Sequence, residues 1–264
     1  MRHVIALMAV LATLHGVGAG AAPLPGGYVV RDSILVPTEA SSAGVRLDVL
    51  EDERLTPALC DSLWGSAELD IVCEEDDSLP EPYASLCASI RSRPLLPALV
   101  RLIANSLVVE QWTMKREQTR LAIEHLYPGD RPTFLVTVDY SIGWGSYAGP
   151  STRFLELRDG RAHWLQAVDT RTGRADTVQV ASTLKTKWQF LRLEDGGKDI
   201  LQAACRPDFD RWEKARKRGK EDDSFLIEYL RYHFDGRQWV KRVRTEPGYS
   251  DFEEGFPNLA KFPP

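Results

Sequence analysis

The sequence is poor in the residues from which many catalytic and metal sites are built. It contains five histidines, four cysteines and three methionines in 264 residues. Two histidines lie within the first 21 residues, which leaves His125, His163 and His233. A histidine-rich metal site, or a mechanism that uses several imidazoles, is therefore not expected.

Positive charge and nucleotide-binding motifs are also lacking. The chain has 33 Lys+Arg against 38 Asp+Glu, and this net charge of −5 argues against a general nucleic-acid binder. Neither a P-loop nor a G-x-G-x-x-G turn between a strand and a helix is present. The sequence predicts no cofactor and no nucleic-acid partner.

The first 21 residues have the pattern of a secretory signal peptide. Arg2 and His3 precede the apolar stretch Val4–Leu14, and Ala19-Gly20-Ala21 fits a small-x-small cleavage site. The apolar stretch is short for a membrane span of about 20 residues. We therefore predict an exported protein, periplasmic or secreted, with no transmembrane segment in the mature chain; the alternative is an uncleaved N-terminal anchor.

All four cysteines follow this leader. An even number of cysteines in an exported chain indicates disulfides. We expect Cys60–Cys73 to close a local loop and Cys87–Cys205 to join the two halves of the chain. The alternative is a zinc site, but the spacing lacks the paired C-x-x-C pattern of zinc ribbons, so no metal is predicted.

Two segments in the first half have helical spacing of apolar residues. One extends from Pro94 to about Val109, and the other from Met114 to Leu126, where Pro128-Gly129 ends it. The apolar residues of the first segment are Leu95, Leu96, Leu99, Val100, Leu102, Ile103 and Leu107. These patterns predict a mainly helical, disulfide-containing region over 22–130. Its start, with the apolar patch at Tyr28, is either an entry arm or a first edge strand.

The second half, 131–264, has the pattern of an antiparallel β meander interrupted by a helix over about 208–220. Asp-Gly and Thr-Gly pairs between apolar runs are strong hairpin signals. The predicted strands are Thr133–Tyr140, Phe154–Leu157, His163–Val168, Thr177–Ala181, Trp188–Leu193, Ile200–Ala203, Phe225–Phe234 and Trp239–Arg244. The predicted fold is thus α+β, with a helical first half packed on a β-rich second half of sandwich or partial-propeller type.

Two of the hairpin turns share a short motif. Asp159-Gly160 is followed by Arg161 and then Trp164, in DGRAHW, and Asp235-Gly236 begins DGRQW. A true repeat and a coincidence between ordinary hairpins both remain open at this stage.

The most unusual local sequence is the connection from Tyr140 to Pro150, which contains three glycines and several aromatic residues. Aromatic rings suit sugar faces or the centre of a protein interface. We therefore predict Tyr140, Trp144 and Tyr147 as ligand-binding residues. The alternative is a loop whose rings cap the core.

Two charged clusters are more ambiguous. The run Glu74–Asp77 lacks the alternating ligands and glycine of a calcium loop, and it fits a solvated acidic loop. The segment from Arg211 to Lys220 contains six basic residues and is followed directly by Glu221-Asp222-Asp223. It fits either a site for an acidic partner, lipid headgroup or anionic polymer, or a solvated helix with Phe209, Trp212 and Ala215 packed inward. The neighbouring acidic residues favour the solvated helix.

These features favour an exported, non-enzymatic binding protein, such as an inhibitor or immunity-type partner of a cell-envelope enzyme. The partner would be another envelope or secreted protein, or a cell-wall glycan. Two alternatives remain: a carboxylate-dependent envelope polysaccharide hydrolase and a structural subunit of an envelope assembly. No catalytic residue is assigned from the sequence.

Overall fold

The computed structural model describes residues 22–38, 41–55, 81, 83–104, 106–114, 119–129, 131–138, 146, 149–158, 161–218 and 224–264. Within them lie fifteen β-strands, two α-helices and one 3-10 turn. In this described part, no helix is long and apolar enough to cross a membrane.

The strands follow one another along the chain with only two helical interruptions among the described residues. They are β1 (Tyr28–Thr38), β2 (Ser41–Asp52), β3 (Leu99–Ala104), β4 (Leu107–Thr113), β5 (Thr119–Glu124), β6 (Thr133–Val138), β7 (Ser151–Arg158), β8 (Arg161–Trp164), β9 (Gln166–Asp169), β10 (Ala175–Thr177), β11 (Gln179–Ala181), β12 (Thr186–Arg192), β13 (Lys198–Pro207), β14 (Phe225–Phe234) and β15 (Trp239–Pro247). Helix α1 (Tyr83–Ser92) precedes β3, and helix α2 (Phe209–Arg216) lies between β13 and β14.

These strands form three sheets. The first has the order β1-β2-β3-β4, and the second has the order β11-β7-β6-β5 with β8 also paired to β7. The third has the order β10-β9-β15-β14-β13-β12. The pairings are antiparallel except that β15 runs parallel to β9.

The second sheet is the middle layer, because its two faces contribute to different cores. Phe134 and Leu155 on one face pack with Leu47 of the first sheet. Phe154 on the other face packs with Ile200 and Trp239 of the third sheet. A further core covers the outer face of the third sheet, where Phe252 and Phe262 of the C-terminal segment pack against Leu201, Ala203 and Tyr229. Alternation of apolar residues along single strands places them in these separate layers.

The predicted helical first half is wrong, and with it the α+β assignment: the described chain is mostly antiparallel β-sheet. The segment from Pro94 to Val109 forms β3 and the start of β4, and the segment from Met114 to Leu126 contains β5. Strand β3 is buried on both faces, including Arg101, so its residues do not alternate between apolar and polar. A short apolar run of this kind looks the same in a buried strand and in a buried helix.

The β-rich second half is confirmed. Strand β14 has the predicted bounds, and α2 lies inside the predicted helical range. The turns at Thr172-Gly173, Asp195-Gly196 and Asp235-Gly236 join neighbouring antiparallel strands, as the hairpin signals predicted. The turn at Asp159-Gly160 lies outside the described residues.

An arginine–aspartate pair fastens the end of α1 to the first sheet. Both carboxylate oxygens of Asp52 accept hydrogen bonds from the Arg54 side chain, at 2.9 and 2.6 Å, and the backbone N–H of Leu96 donates to Asp52 at 2.9 Å. The Arg54 guanidinium also donates to the backbone carbonyls of Ser89, Arg93 and Pro94. The Ser89 carbonyl also accepts from the backbone N–H of Arg93, whereas the carbonyls of Arg93 and Pro94 follow the helix and have no helical N–H to accept from, so the Arg54 side chain supplies their donor.

The predicted Cys87–Cys205 disulfide is wrong. Cys205 is a free, buried thiol on β13, and its Sγ accepts a hydrogen bond from the backbone N–H of Ser250 at 3.4 Å. Cys60 and Cys73, the other predicted pair, lie outside the described residues.

A free Cys205 makes full pairing of the four cysteines impossible, since three thiols can form at most one disulfide within a chain. We therefore expect at least two thiols per chain when the denatured, unreduced protein is titrated with a thiol reagent. A titre of zero would mean that Cys205 forms a disulfide, and would contradict the structure at this position.

Candidate functional site

A pocket of about 570 Å³ opens beside the hairpin of β9 and β10. Its lining comes from the edge strand β8 with Arg158 at the end of β7, from the β9–β10 hairpin, and from the turn between β14 and β15 with the first residue of β15. The lining residues are Arg158, Ala162, His163, Trp164, Gln166, Val168, Ala175, Thr177, Arg237, Gln238 and Trp239.

The floor of the pocket is set by the register of the β9–β10 hairpin. Thr177 pairs with Gln166, and Ala175 pairs with Val168, so these four side chains share one face. The intervening residue Ala167 is buried on the other face and packs in the core between the second and third sheets. The hairpin thus presents a small, mixed polar and apolar surface to the pocket.

Each of the two Asp-Gly-Arg motifs contributes one part of the pocket lining. Ala162, His163 and Trp164 come from the first motif, and Arg237, Gln238 and Trp239 come from the second. The side-chain Oδ1 of Asp235 accepts hydrogen bonds from the backbone N–H groups of Arg237 at 2.9 Å and Gln238 at 2.8 Å. Gly236 has a φ of +93°, which a glycine adopts without strain. These features fix the turn that carries Arg237 and Gln238.

Behind the pocket lies a chain of buried hydrogen bonds. The indole Nε1–H of Trp239 donates to the Tyr127 hydroxyl at 2.7 Å, and that hydroxyl donates to Oε1 of Glu156. Oε2 of Glu156 accepts from Nε of Arg158 at 2.9 Å and from Nη2 of Arg131 at 3.2 Å. Glu156 is completely buried, so its charge is balanced inside the protein.

Burial raises the pKa of Glu156 above its usual range, while the hydrogen bond and the positive charge of Arg158 act in the opposite direction. Both carboxylate oxygens of Glu156 already have partners, and its side chain does not line the pocket. Its structural effect is to hold the Arg158 side chain, half of which is exposed at the pocket wall. Glu156 is therefore a positioning residue for Arg158.

The pocket has the chemistry of an anion-binding site with one aromatic side chain at its surface. Two guanidinium groups, Arg158 and Arg237, and the imidazole of His163 supply donors. The partly buried Trp164 supplies aromatic surface and two glutamines supply amides, whereas Trp239 is 1% exposed and its ring belongs to the core behind the pocket. Among the described lining residues there is no Asp or Glu, so a bound anion meets no opposing carboxylate at the surface.

The predicted ligand-binding residues Tyr140, Trp144 and Tyr147 lie outside the described residues, and their role stays a prediction. The described end of the same connection is tightly packed. A Cβ atom added at Gly149 would lie 2.0 Å from the backbone oxygen of Ser182. Pro150 accepts a hydrogen bond from the Ser182 N–H at 2.9 Å, so glycine permits this close approach of two backbone segments.

A second cluster of titratable side chains lies on the outer face of the third sheet. Asp199 is buried, accepts a hydrogen bond from Arg231 at 2.6 Å and is 2.8 Å from Nδ1 of His233. The cross-strand neighbours of this pair are Leu191 and Val240, which have no hydroxyl or thiol. Neither of these two directly paired side chains can act as a nucleophile for the Asp–His pair.

Sequence reasoning identified the two Asp-Gly-Arg motifs but did not connect them with a site. Their shared tryptophans and arginines were the available signal. No sequence motif pointed to Arg158 or to the β9–β10 floor.

Within the described ranges, no group of three or more His, Cys, Asp and Glu residues could hold a metal ion. Comparisons with protein-family models, curated proteins and solved structures find no match to this chain.

Proposed function

We propose that this chain is an exported, non-enzymatic binding protein whose pocket accepts an acidic sugar unit of a cell-wall glycan. The observation that carries the proposal is the lining: two arginines, a histidine, the partly buried Trp164 and two glutamines, with no carboxylate among the described lining residues. Arginine binds a carboxylate with two parallel hydrogen bonds, and an indole ring packs against the apolar face of a sugar.

The dimensions of the pocket agree with a small ligand. A volume of about 570 Å³ lies within the usual range for small-molecule sites. A concave site of this size favours a sugar unit over the flat contact surface of a folded partner protein. Glu156 and the Asp235 turn hold the two arginine-bearing walls before the ligand arrives, which reduces the entropy cost of binding.

The alternative of a carboxylate-dependent hydrolase gains no support from this arrangement. Such enzymes usually place two carboxyl groups on either side of the bond that breaks. Glu156 lies behind Arg158 with both oxygens occupied, and no second carboxylate belongs to the described lining. Among its described lining residues, the pocket has donors for an acidic sugar but no pair of carboxyl groups to cleave it.

An oligogalacturonate is the probe that tests the proposal. Calorimetric titration should detect its binding, and neutral maltooligosaccharides of equal length should bind at least about tenfold more weakly, because they lack the carboxylate for Arg158 and Arg237. Arg237→Gln should weaken oligogalacturonate binding at least about tenfold, since a charge-assisted hydrogen bond is lost.

The matched control is Arg174→Gln. Arg174 is also exposed, in the turn between β9 and β10, but it does not line the pocket. Its replacement should leave the affinity unchanged. Equal binding of neutral and acidic oligosaccharides, or an Arg237→Gln variant with full affinity, would contradict the proposed ligand class. Release of shorter products from the probe would contradict the non-enzymatic assignment.

A further inference from the structure

Helix α2 has an unusual composition and an unusual exposure. None of its residues is buried. Phe209 is 60% exposed and Trp212 is 44% exposed, so the alternative in which these rings pack inward is wrong. Large aromatic side chains on an exposed helix leave apolar area in contact with water, and such area commonly marks an interaction surface.

Other exposed apolar side chains lie at the same end of the third sheet. Leu184 precedes the start of β12, α2 follows the end of β13, and Tyr249 follows the end of β15. Strands β12 and β13 pair antiparallel, as do β13 with β14 and β14 with β15, so these positions meet at one end of the sheet. Leu184 is 48% exposed and Tyr249 is 61% exposed. We call Leu184, Phe209, Trp212 and Tyr249 the aromatic end.

Among the described residues, exposed aromatic side chains occur at the aromatic end and not elsewhere. Within the part of the chain whose side chains are described, the exposed large aromatic residues are Phe209, Trp212 and Tyr249, and all three belong to the aromatic end. Exposed aliphatic residues also occur elsewhere, for example Leu24 and Leu107, but no exposed aromatic residue among those described accompanies them.

The described segment 209–218 has a net positive charge: five basic side chains, Arg211, Lys214, Arg216, Lys217 and Arg218, against Asp210 and Glu213. In the sequence, Asp208 precedes this segment, and Lys220 and Glu221-Asp222-Asp223 follow it. Glu213 forms an exposed ion pair with Lys217 at 3.1 Å. The guanidinium carbon of Arg216 lies 5.3 Å from the centroid of the Trp212 ring, so charge and aromatic surface are presented together.

We propose that the aromatic end binds the surface of an anionic lipid bilayer. Tryptophan and tyrosine favour the headgroup region, where their rings are partly apolar and partly polar, and neighbouring Lys and Arg bind anionic headgroups. Exposed Phe, Trp, Tyr and Leu beside basic side chains are the combination that proteins at an anionic membrane interface use. Aromatic residues also occur at protein interfaces, so an acidic protein is the alternative that the experiment separates.

This surface and the pocket lie at opposite ends of the same strands. Strand β14 runs from Phe225, near the aromatic end, to Phe234, and the turn after it carries Arg237 into the pocket. Ten residues of extended strand span about 30 Å. A protein bound to lipid through the aromatic end would therefore present the pocket away from the bilayer.

Sedimentation with lipid vesicles tests this proposal on the purified protein from residue 22 onward, because the apolar stretch Val4–Leu14 could itself insert. Vesicles of phosphatidylcholine with about one third phosphatidylglycerol should bind the protein at low salt at least about tenfold better than pure phosphatidylcholine vesicles. Binding should fall as salt screens the basic side chains.

Two double variants separate the contributions. Phe209→Ser with Trp212→Ser, and Lys214→Glu with Arg218→Glu, should each reduce binding to the anionic vesicles at least about tenfold. The apolar control is Leu24→Ser with Leu107→Ser, and the charge control is Arg174→Glu with Arg192→Glu; all four control positions are exposed and lie elsewhere. Both controls should bind as the unmodified protein does.

Equal binding to both vesicle types, or no binding to the anionic vesicles, would overturn the proposal. So would full binding by the Phe209→Ser, Trp212→Ser variant. Binding to polyglutamate without binding to vesicles would identify an acidic protein as the partner class instead. Because all substituted side chains are exposed, the melting temperatures of the variants should match that of the unmodified protein, which excludes misfolding as the cause of lost binding.

Discussion

Replacing Trp239 by alanine should lower the free energy of unfolding by about 3–5 kcal/mol. Among the residues that the structure describes, Trp239 is the largest almost completely buried side chain, and its ring packs edge-on against Tyr127 at 5.7 Å between centroids. The substitution removes this packing and also the hydrogen bond from its Nε1 to the Tyr127 hydroxyl. Chemical denaturation followed by circular dichroism measures the change.

Two further variants show whether the effect comes from burial. Trp239→Phe retains much of the apolar volume but loses the hydrogen bond, so it should cost about 1–2 kcal/mol. Trp212→Ala removes the same type of side chain from exposed α2 and should change the free energy of unfolding by at most about 0.5 kcal/mol. Similar losses for Trp212→Ala and Trp239→Ala would contradict the buried position of Trp239.

Asp52→Asn should lower the free energy of unfolding by about 2–3 kcal/mol at pH 7. Asp52 is completely buried, and burial alone would raise its pKa. The hydrogen bonds from the Arg54 side chain and from the backbone N–H groups of Leu96 and Arg54 outweigh burial and lower the pKa from 3.8 to about 2. Asparagine loses the charge that Arg54 binds.

The pH dependence of this effect has a defined sign. A carboxyl group whose pKa is lowered by folding stabilises the folded state above its unfolded pKa, because its charged form is bound more strongly there. The stabilisation by Asp52 is therefore complete above about pH 4, declines between about pH 4 and pH 2, and is lost below about pH 2. The difference between the unmodified protein and Asp52→Asn should decrease over the same interval.

Denaturation at a series of pH values measures this difference. The control is Asp176→Asn, because Asp176 is an exposed residue of β10 with no ion pair among the described contacts. It should leave both the stability and its pH dependence unchanged. A difference between Asp52→Asn and the unmodified protein that stays constant from pH 7 to pH 2 would contradict the Asp52–Arg54 interaction.

Local sequence was sufficient to predict most strands and turns of the second half of the chain. The strand from Phe225 to Phe234, the strand beginning at Trp239 and the Asp235-Gly236 turn between them were all predicted correctly. In a hairpin the partner strand follows within a few residues, so turn chemistry and β propensity determine the pairing locally. The helix after Asp208 also depends on local sequence, because the Asp208 side chain caps it by accepting a hydrogen bond from the Arg211 N–H.

The first half required information that local sequence does not contain. The segment from Thr119 to Glu124 is rich in residues that also form helices, but it pairs along its whole length with the strongly β-forming segment from Thr133 to Val138. Strand β3 pairs with β2, which lies more than 40 residues earlier in the chain. Pairing energy and burial outweigh the weak intrinsic preference of such segments.

The candidate site also could be predicted from the sequence only in part. The two Asp-Gly-Arg motifs, with His163, Trp164, Arg237 and Trp239 in or beside them, are visible in the sequence because each belongs to one hairpin. Their meeting across one pocket is not visible, because it depends on the parallel pairing of Trp239–Lys241 with Ala167–Asp169. That contact joins segments about 70 residues apart, and no local propensity specifies it.

The sequence by itself determined the hairpins, their turns, the cap of α2 and the low content of histidine. Only the tertiary structure decided that the first half is β-sheet, that Cys205 is unpaired, that Glu156 is buried behind Arg158, and that Phe209 and Trp212 are exposed. The physical reason is the range of the interactions. Turn geometry, capping and composition act within a few residues, whereas strand pairing and burial depend on which distant segments pack together.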